Sequence, residues 1–463
     1  MSDMEKVLEA IDSDLQNSID RLFKLIKIPS ISTDPQYAEH CEHAANWLAK
    51  DLASIGFDVS VRKTTGHPMV VAHHSGPDAA PHVLFYGHYD VQPVDPLDLW
   101  DEPPFEPKIK QMADGTRQMT GRGTSDDKGQ LMTFVEACRA WKTQTGNLPL
   151  KVTVFFEGEE ESGSPSLVPF LEANKDELSA DIALVCDTGM WDRQTPSICT
   201  GLRGLLGEEV TVQAASRDLH SGMYGSAAAN PIRILTKILS GLHDENGKVT
   251  LPGFYDGVSE TPDNIKEMWN GLGFSETEFL GEIGLSTPAG EKDRSILEQV
   301  WARPTCEFNG IIGGYTGDGF KTVIPARASA KVSFRLVGDQ DPLAIRQSFR
   351  DHVASQLPDD CTVTFEDHGA SRATNLGFDM PEMTIAAEAL KQEWNKETAL
   401  TAMGGSIPVV GHFRNILQMK SLLVGFAQDD DRIHSPNEKY ELTSFHKGAR
   451  SWARILEALA NRL

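Results

Sequence analysis

The feature that most constrains this chain is a junction. The run Val152-Thr153-Val154-Phe155 passes through Phe156 directly into Glu157-Gly158-Glu159-Glu160-Glu161-Ser162-Gly163-Ser164. β-Branched and aromatic residues favour a strand, and an apolar run that lacks polar alternation suits a strand covered on both faces, as in an α/β sheet. Consecutive carboxylates at the mouth of such a strand repel one another and raise each other's pKa values, a cost that a divalent cation removes. A charge run on its own is more commonly a solvated loop. What this one means therefore depends on what other strands deliver to the same edge.

Three further apolar runs end in the same way. Val83-Leu84-Phe85-Tyr86 leads into Gly87-His88-Tyr89-Asp90-Val91-Gln92-Pro93, Ile182-Ala183-Leu184-Val185-Cys186 ends at Asp187, and Leu422-Leu423-Val424-Gly425-Phe426 is soon followed by Ile433-His434-Ser435-Pro436. His88 and Asp90, two apart at a strand end, can present their side chains on the same side. One of them can then bind a metal through a ring nitrogen while the other orients it. The segment Gly121-Arg122-Gly123-Thr124-Ser125-Asp126-Asp127-Lys128-Gly129 opens a helix with Leu131, Phe134, Val135 and Cys138 on one face. This puts Asp126 and Asp127 near its N-terminus, where carboxylates also serve as caps. The glycines match neither a Walker A loop nor a dinucleotide fingerprint. Open α/β sheets place their sites outside the carboxyl ends of the strands. Two His and several carboxylates with no Cys suit a borderline or hard divalent ion, in a paired site sharing one bridging carboxylate.

At 463 residues the chain exceeds what one core usually serves, so two domains are expected. A net charge of −24 argues against nucleic acid or an anionic membrane as partner. Met1-Ser2-Asp3-Met4-Glu5-Lys6 is not a basic region followed by an apolar core, and no later apolar run is long enough to span a bilayer, so a cytoplasmic protein is expected. Cys41, Cys138, Cys186, Cys199, Cys306 and Cys361 are scattered without a Cys-x-x-Cys pair and read as buried reduced thiols. Helical spacing predicts one packing helix from about Met4 to Lys27 and another from Cys41 to Ile55, closed by Gly56 and followed by a strand over Phe57 to Val61.

The interval between Asp187 and His434 must hold the second domain. Val210, Val212 and Ala214 alternate in one strand, and Ala330, Val332, Phe334 and Leu336 in another; Asn230-Pro231 and Asp341-Pro342 are helix starts. The pattern predicts a small α/β sandwich inserted at 202–375, with 1–201 and 376–463 forming the other domain. The longest irregular portion is expected between Thr250 and Pro304.

His88-x-Asp90, Gly121-Arg122-Gly123 through Asp126-x-Lys128-Gly129, Glu160-Glu161-x-Gly163-Ser164, Asp187 and the late His434 together resemble the signature of the M20 metallopeptidases, nearly end to end. The resemblance implies a mixed-sheet α/β catalytic domain holding two divalent metal ions, usually zinc with manganese the alternative. Asp126 would bridge both, His88 and Asp187 would hold one, and Glu161 and His434 the other. Glu160 would be the general base on the bridging water and Asp90 would stand behind the ligands, with a cis peptide bond between Asp126 and Asp127. The insert would act as lid and dimer surface, making the protein a homodimer.

Asp218-Leu219-His220-Ser221-Gly222-Met223-Tyr224-Gly225, Lys321-Thr322-Val323-Ile324-Pro325, Ser333-Phe334-Arg335-Leu336, His368-Gly369 and Gly404-Gly405-Ser406-Ile407-Pro408 resemble the carnosinase-like dipeptidases within that family. They imply a dipeptide substrate with a free C-terminal carboxylate. Arg335 would read that carboxylate, and His220, reaching across from a second subunit, would donate to the oxyanion. Thr322, His368 and Ser406 would be further substrate contacts. Ala402-Met403 departs from the charged residues expected there, which bears on side-chain selectivity. An N-acyl amino acid deacylase of the same family is the nearer alternative, and a non-catalytic metal-binding scaffold the farther one; an intact Glu160 argues against the scaffold. A serine hydrolase is a poor rival, since Gly123-Thr124-Ser125 lacks the second glycine of a nucleophile elbow and Gly404-Gly405-Ser406-Ile407 runs into Pro408.

Overall fold

A computed structural model describes residues 1–405 and 407–462. The chain divides into two compact units: Met1–Thr200 with Leu376–Thr401 and the segment from Pro408 onward, and Gly201–Asn375 with Ala402–Ile407.

The first unit is built on a mixed sheet. Its neighbouring strands run Asp58–Arg62, Met69–His74, Lys151–Glu157, His82–His88, Ile182–Val185, Lys420–Leu423 and Ser197–Leu202. The four strands from Lys151–Glu157 to Lys420–Leu423 are mutually parallel, and antiparallel strands flank them. Residues 152–157, like 83–88, are buried without alternation, because helices cover both faces. On one face Phe85 stacks on Phe134 of helix Lys128–Thr145 at 3.7 Å, and Trp452 of helix Leu442–Arg462 meets both rings edge-on at 5.6 Å. On the other, Phe155 stacks on Phe170 of helix Leu167–Ala173, and Tyr86 meets Phe413 of helix Pro408–Ile416. Each such ring withdrawn from water contributes roughly 1.5–3 kcal/mol. This double cover leaves only the strand ends free to carry polar chemistry.

The helix expected from Met4 to Lys27 is two helices, Asp3–Ser13 and Leu15–Ile26, broken at Asp14. The Asp14 carboxylate accepts from Asn17 and Arg21, and a short acid that satisfies itself locally is a poor residue for a helix interior. The second helix runs Ala38–Ser54, with Gly56 at φ +91° turning the chain into the strand Asp58–Arg62.

The second unit is a smaller α/β sandwich. Its antiparallel sheet runs Thr305–Gly313, Arg327–Leu336, Gly204–Gln213, Thr362–Ser371. One face packs Leu206, Val210, Val332 and Phe334 against Leu235 and Ile238 of helix Pro231–Ser240 and Phe349 and Val353 of helix Pro342–Ser355. Asn230 and Asp341 cap these helices through Ile232 N at 3.0 Å and Leu343 N at 2.9 Å. The stretch expected to be irregular between Thr250 and Pro304 holds three short helices, Asp263–Asn270, Glu276–Glu282 and Ile296–Trp301. At eight residues or fewer they show too little periodicity to be recognised by spacing. Ser295 and Glu298 do form a capping box, a local signal that the sequence reading passed over.

All six cysteines are free and buried. Among the described residues, no helix is long and apolar enough to cross a membrane.

Candidate metal centre

The carboxyl ends of the parallel strands converge on one carboxylate. Nε2 of His88 lies 3.1 Å from Oδ1 of Asp126, and Nε2 of His434 lies 2.9 Å from Oδ2 of the same side chain. Oε2 of Glu161 is 3.2 Å from the His434 nitrogen. Two three-residue groups result, His88–Asp126–Asp187 and Asp126–Glu161–His434, each with ligand atoms within 4.8 Å of one another. Ligand atoms sharing a tetrahedral ion at 2.0–2.2 Å stand about 3.4 Å apart, so the spacing is compatible with two adjoining cations that would share Asp126.

Local structure explains how each side chain arrives. His88 is the last residue of its strand, and its backbone N–H donates to Oδ2 of Asp127 at 3.0 Å. A Cβ on the preceding Gly87 would lie 2.9 Å from both that oxygen and Cβ of Leu131, so only glycine lets the loop close on the strand. Asp127 sits at the N-cap position of helix Lys128–Thr145, but its side chain makes no capping bond; it braces His88 instead. The Asp126–Asp127 peptide bond is cis. Glu160 and Glu161 share a single 3-10 turn after their strand. His434 has φ +62°, a conformation uncommon for a residue with a side chain and concentrated at functional sites.

Asp90 organises the next layer. Nδ1 of His88 is 3.2 Å from the Asp90 carbonyl oxygen and 3.4 Å from its Oδ1. A proton on Nδ1 would leave the Nε2 lone pair available to a cation lying between it and Asp126. The same carboxylate accepts from Ser32 Oγ at 2.6 Å, from Glu161 N at 3.0 Å and from Glu160 N at 3.3 Å. One buried acid therefore fixes both the histidine and the acidic turn. Gln92 donates to Oε2 of Glu161 at 2.7 Å.

The donor set fits divalent cations. Burial, and then the charges of Asp126, Glu160 and Glu161, push the Asp187 carboxyl well above the usual range against the opposing pull of His88. Burial and the neighbouring carboxylates Glu161, Asp90 and Asp126 likewise raise Glu160 to about 7. Oδ1 of Asp127 is buried with no hydrogen-bond partner. This excess of buried negative charge is what a pair of cations would neutralise.

Several bracing residues carry no motif. Glu438 is fully buried and accepts from Arg122 at 2.8 Å, Gly123 N at 3.0 Å, Ser125 N at 2.9 Å and Asp126 N at 3.1 Å. Asp431 accepts from Ser125 Oγ at 2.7 Å and pairs with Lys439 at 2.7 Å. Both acids lie in the segment just after or before His434, and their proximity to it was the only signal the sequence offered.

The remaining candidates lie in the second unit. Arg335 is half-buried on its strand between Leu205 and Thr305, on the face opposite the apolar row. His220 is exposed and accepts from Gly222 N at 3.0 Å; the neighbouring Ser221 N donates to the Thr322 carbonyl oxygen at 3.0 Å. His368 is exposed, with Nε2 3.5 Å from Glu209. Ser406 lies outside the described residues.

A mixed α/β fold with clustered His, Asp and Glu at its strand ends defines a metallohydrolase class, and the sequence profile of Peptidase family M20/M25/M40 matches residues 84–458. The chain belongs to that family. It is 30% identical over 477 residues to the Cys-Gly metallodipeptidase DUG1 of Saccharomyces cerevisiae, covering 98% of each chain. It is 27% identical over 406 residues to the human Beta-Ala-His dipeptidase, covering 85% of this chain and 78% of that one. The solved structure of the M20 metallo-carboxypeptidase Sso-CP2 from Sulfolobus solfataricus superposes with a TM-score of 0.79 at 30% identity, covering 96% of this chain and 99% of the other.

Proposed function

We propose that this protein is a metallodipeptidase that hydrolyses the peptide bond of dipeptides bearing a free C-terminal carboxylate. The observation that carries the reading is Asp126, whose two oxygens face two different histidines, each group completed by a further carboxylate, with Glu160 alongside. The dipeptidase names of the DUG1 and Beta-Ala-His relatives support the substrate class.

His88, Asp126 and Asp187 would hold one ion and Asp126, Glu161 and His434 the other, with zinc the expected metal and manganese the alternative. When bound, the pair supplies Lewis acidity toward a carbonyl and lowers the pKa of a water. Glu160 takes a proton from the attacking water and returns it to the leaving amine. A carboxyl raised to about 7 by burial is poised for that exchange near neutral pH. Asp90 keeps His88 in the tautomer that frees Nε2. Arg335 reads the substrate carboxylate, with Thr322, His368 and Ser406 as further contacts, and His220 donates to the oxyanion. The test is a hydrolysis screen of free dipeptides against their N-acetylated and C-amidated counterparts and against longer peptides, with zinc and with manganese. Preference for acetylated substrates would instead make the protein a deacylase, and release of the C-terminal residue from longer peptides a carboxypeptidase.

The second unit would be lid and dimer surface in a homodimer. Its strand Thr305–Gly313 supports this: it is a sheet edge that exposes Phe308, Ile311 and Ile312, the kind of edge that pairs with another chain. If His220 serves the partner's site, Glu160→Ala and His220→Ala are each nearly inactive alone. Their reassembled mixture then recovers roughly a quarter of wild-type activity, since about half the dimers are mixed and each of those carries one good site. Verified heterodimers without recovery would place His220 in its own subunit's site or outside catalysis.

A further inference from the structure

A cavity of about 550 Å³ opens at the opposite end of the strands that carry the candidate metal centre. His82 begins the strand that His88 ends, and Lys151 begins the strand that Glu157 ends. Six residue steps at about 3.3 Å place the cavity roughly 20 Å from the metal ligands, at the amino ends of the strands. It is therefore separate from the candidate centre.

Its lining is cationic in a chain of net charge −24. Lys142, Lys151, His73, His74 and His82 line it, with Asp58 as the one acid among the lining residues. Two acids that contact lining residues are themselves engaged. Glu177 pairs with Arg62 and with His73 at 2.9 Å, and Asp181 accepts from His82 N at 2.7 Å. Neither Lys142 nor Lys151 has a carboxylate partner among the described residues, and Nε2 of His74 is the group that the Lys142 ammonium meets, at 3.2 Å.

That contact exposes a mismatch. His74 is more than nine-tenths buried, held edge-on against Phe57, and its Nδ1 accepts from Gly76 N at 3.2 Å. A neutral imidazole has a single acceptor nitrogen. That one acceptor cannot serve both the Gly76 N–H and the Lys142 ammonium; with Nδ1 taken by Gly76, Nε2–H would face the ammonium, donor against donor. Protonating the ring would not help, because burial and the Lys142 charge both hold His74 below its usual pKa. The Lys142 stem is nonetheless built into place. It runs past Gly56 so closely that a Cβ there would lie 3.1 Å from its Cε. What the arrangement lacks is an acceptor able to take hydrogen bonds from both donors.

We propose that this cavity is a binding site for a phosphate group, held by the Lys142 and Lys151 ammonium groups and the Nε2–H of His74. A tetrahedral oxyanion offers acceptors in several directions, as three separate donors require, whereas the flat fork of an arginine, suited to a carboxylate, is absent from the lining. The cavity volume falls in the range of small-molecule sites, so the phosphate belongs to inorganic phosphate or to a small phosphate monoester. A cation is opposed by the two ammonium groups.

The test is calorimetric titration of the metal-loaded enzyme with inorganic phosphate, and separately with glycerol phosphate, at ionic strength fixed with chloride. Wild type is compared with Lys142→Met, Lys151→Met and Lys142→Arg. Any phosphate bound at the metal centre is common to all four, so the differences isolate the cavity. Each Met variant is expected to weaken the site at least about tenfold, the worth of a hydrogen bond to a charged group. Lys142→Arg should keep affinity within a few-fold, and hydrolysis should be unchanged throughout. Tighter binding of glycerol phosphate than of phosphate would identify a monoester as the occupant, and equal binding free phosphate. Should Lys142→Met fail to fold, Lys151→Met, at a half-buried strand start, carries the test. Identical isotherms in wild type and the folded Met variants would overturn the proposal, as would zinc uptake lost in His74→Ala with phosphate binding unaffected.

Discussion

Replacing Glu438 by glutamine changes one atom and should disable the loop that presents Asp126. The carboxylate takes Arg122 and Gly123 N on Oε2, and Ser125 N and Asp126 N on Oε1. Burial raises its pKa to about 7 against the stabilising charge of Arg122. Yet all four facing groups are donors, and a protonated carboxyl would have to turn its O–H against one of them. The loop is therefore built around the anion. In Glu438→Gln the amide NH₂ opposes two donors whichever way the side chain is turned, and Arg122, itself buried, loses its counter-charge. Removing one partner of a buried ion pair typically costs about 3–5 kcal/mol, at the upper end for single substitutions.

Two assays measure this. Urea unfolding of the metal-free protein should show the first transition lowered by an amount in that range. Competition with a chromophoric chelator should show metal affinity reduced by about 10- to 100-fold, the usual penalty for disturbing a group behind a ligand. Glu438→Gln within about 0.5 kcal/mol of wild type, with unchanged metal affinity, would refute the argument and show that the neutral acid is the native form.

Glu160→Ala should retain both metal sites and lose about 10² to 10⁴ in kcat, the worth of a general base; full occupancy with near-normal turnover removes Glu160 from that role. Asp187→Asn should raise the melting temperature of the metal-free protein, because it relieves an acid made costly by burial and by Asp126, Glu160 and Glu161, while weakening metal binding in the chelator assay. A lower melting temperature without metal would contradict the charge-excess reading of the centre. The hydrogen bond from Arg62 leads the interactions that depress Glu177 to about 2. A depressed acid contributes stability that is present above its unfolded value near 4.5 and is lost as pH falls from there to about 2. Acid titration of stability should therefore be flatter over that window in Glu177→Gln, and parallel curves would count the pair as energetically silent.

The residues of the candidate centre could be found in the sequence because each stands where a local pattern changes. An apolar run stops and a His or acid follows, at His88, Glu160, Glu161 and Asp187, and Asp126 opens a helix. The rule that strand ends converge brings these residues to one edge, whereas the grouping of Asp126 between two histidines came from the resemblance to the M20 signature. Glu438 could not be found in that way. It meets Asp126 across 312 residues of sequence, and an isolated glutamate before a short strand reads as an ordinary surface residue. The break at Asp14 was missed because apolar residues at helical spacing lie on both sides of it, and the helices between Thr250 and Pro304 because they are short and offer little periodicity.

The contrast between Asp90 and Asp187 shows how the fold divides the work of holding charge. Asp90 is fully buried, yet Ser32 and two backbone N–H groups donate to it, and it lies against the His88 ring. Hydrogen bonds to a charged group contribute roughly 1.5–3 kcal/mol each, so this acid is stabilised by the protein alone. Burial, and then Asp126, Glu160 and Glu161, push the pKa of Asp187 up against the opposing charge of His88. The protein thus spends its hydrogen bonds on the acid that positions other groups and leaves the excess charge on the acids that face the cation sites. Had the chain supplied donors to Asp187 as it does to Asp90, the centre would be stable without metal and correspondingly weaker in binding it. Leaving that charge uncompensated would tie the strand ends to metal uptake, and would explain why the junction after Phe156 can carry so many acids.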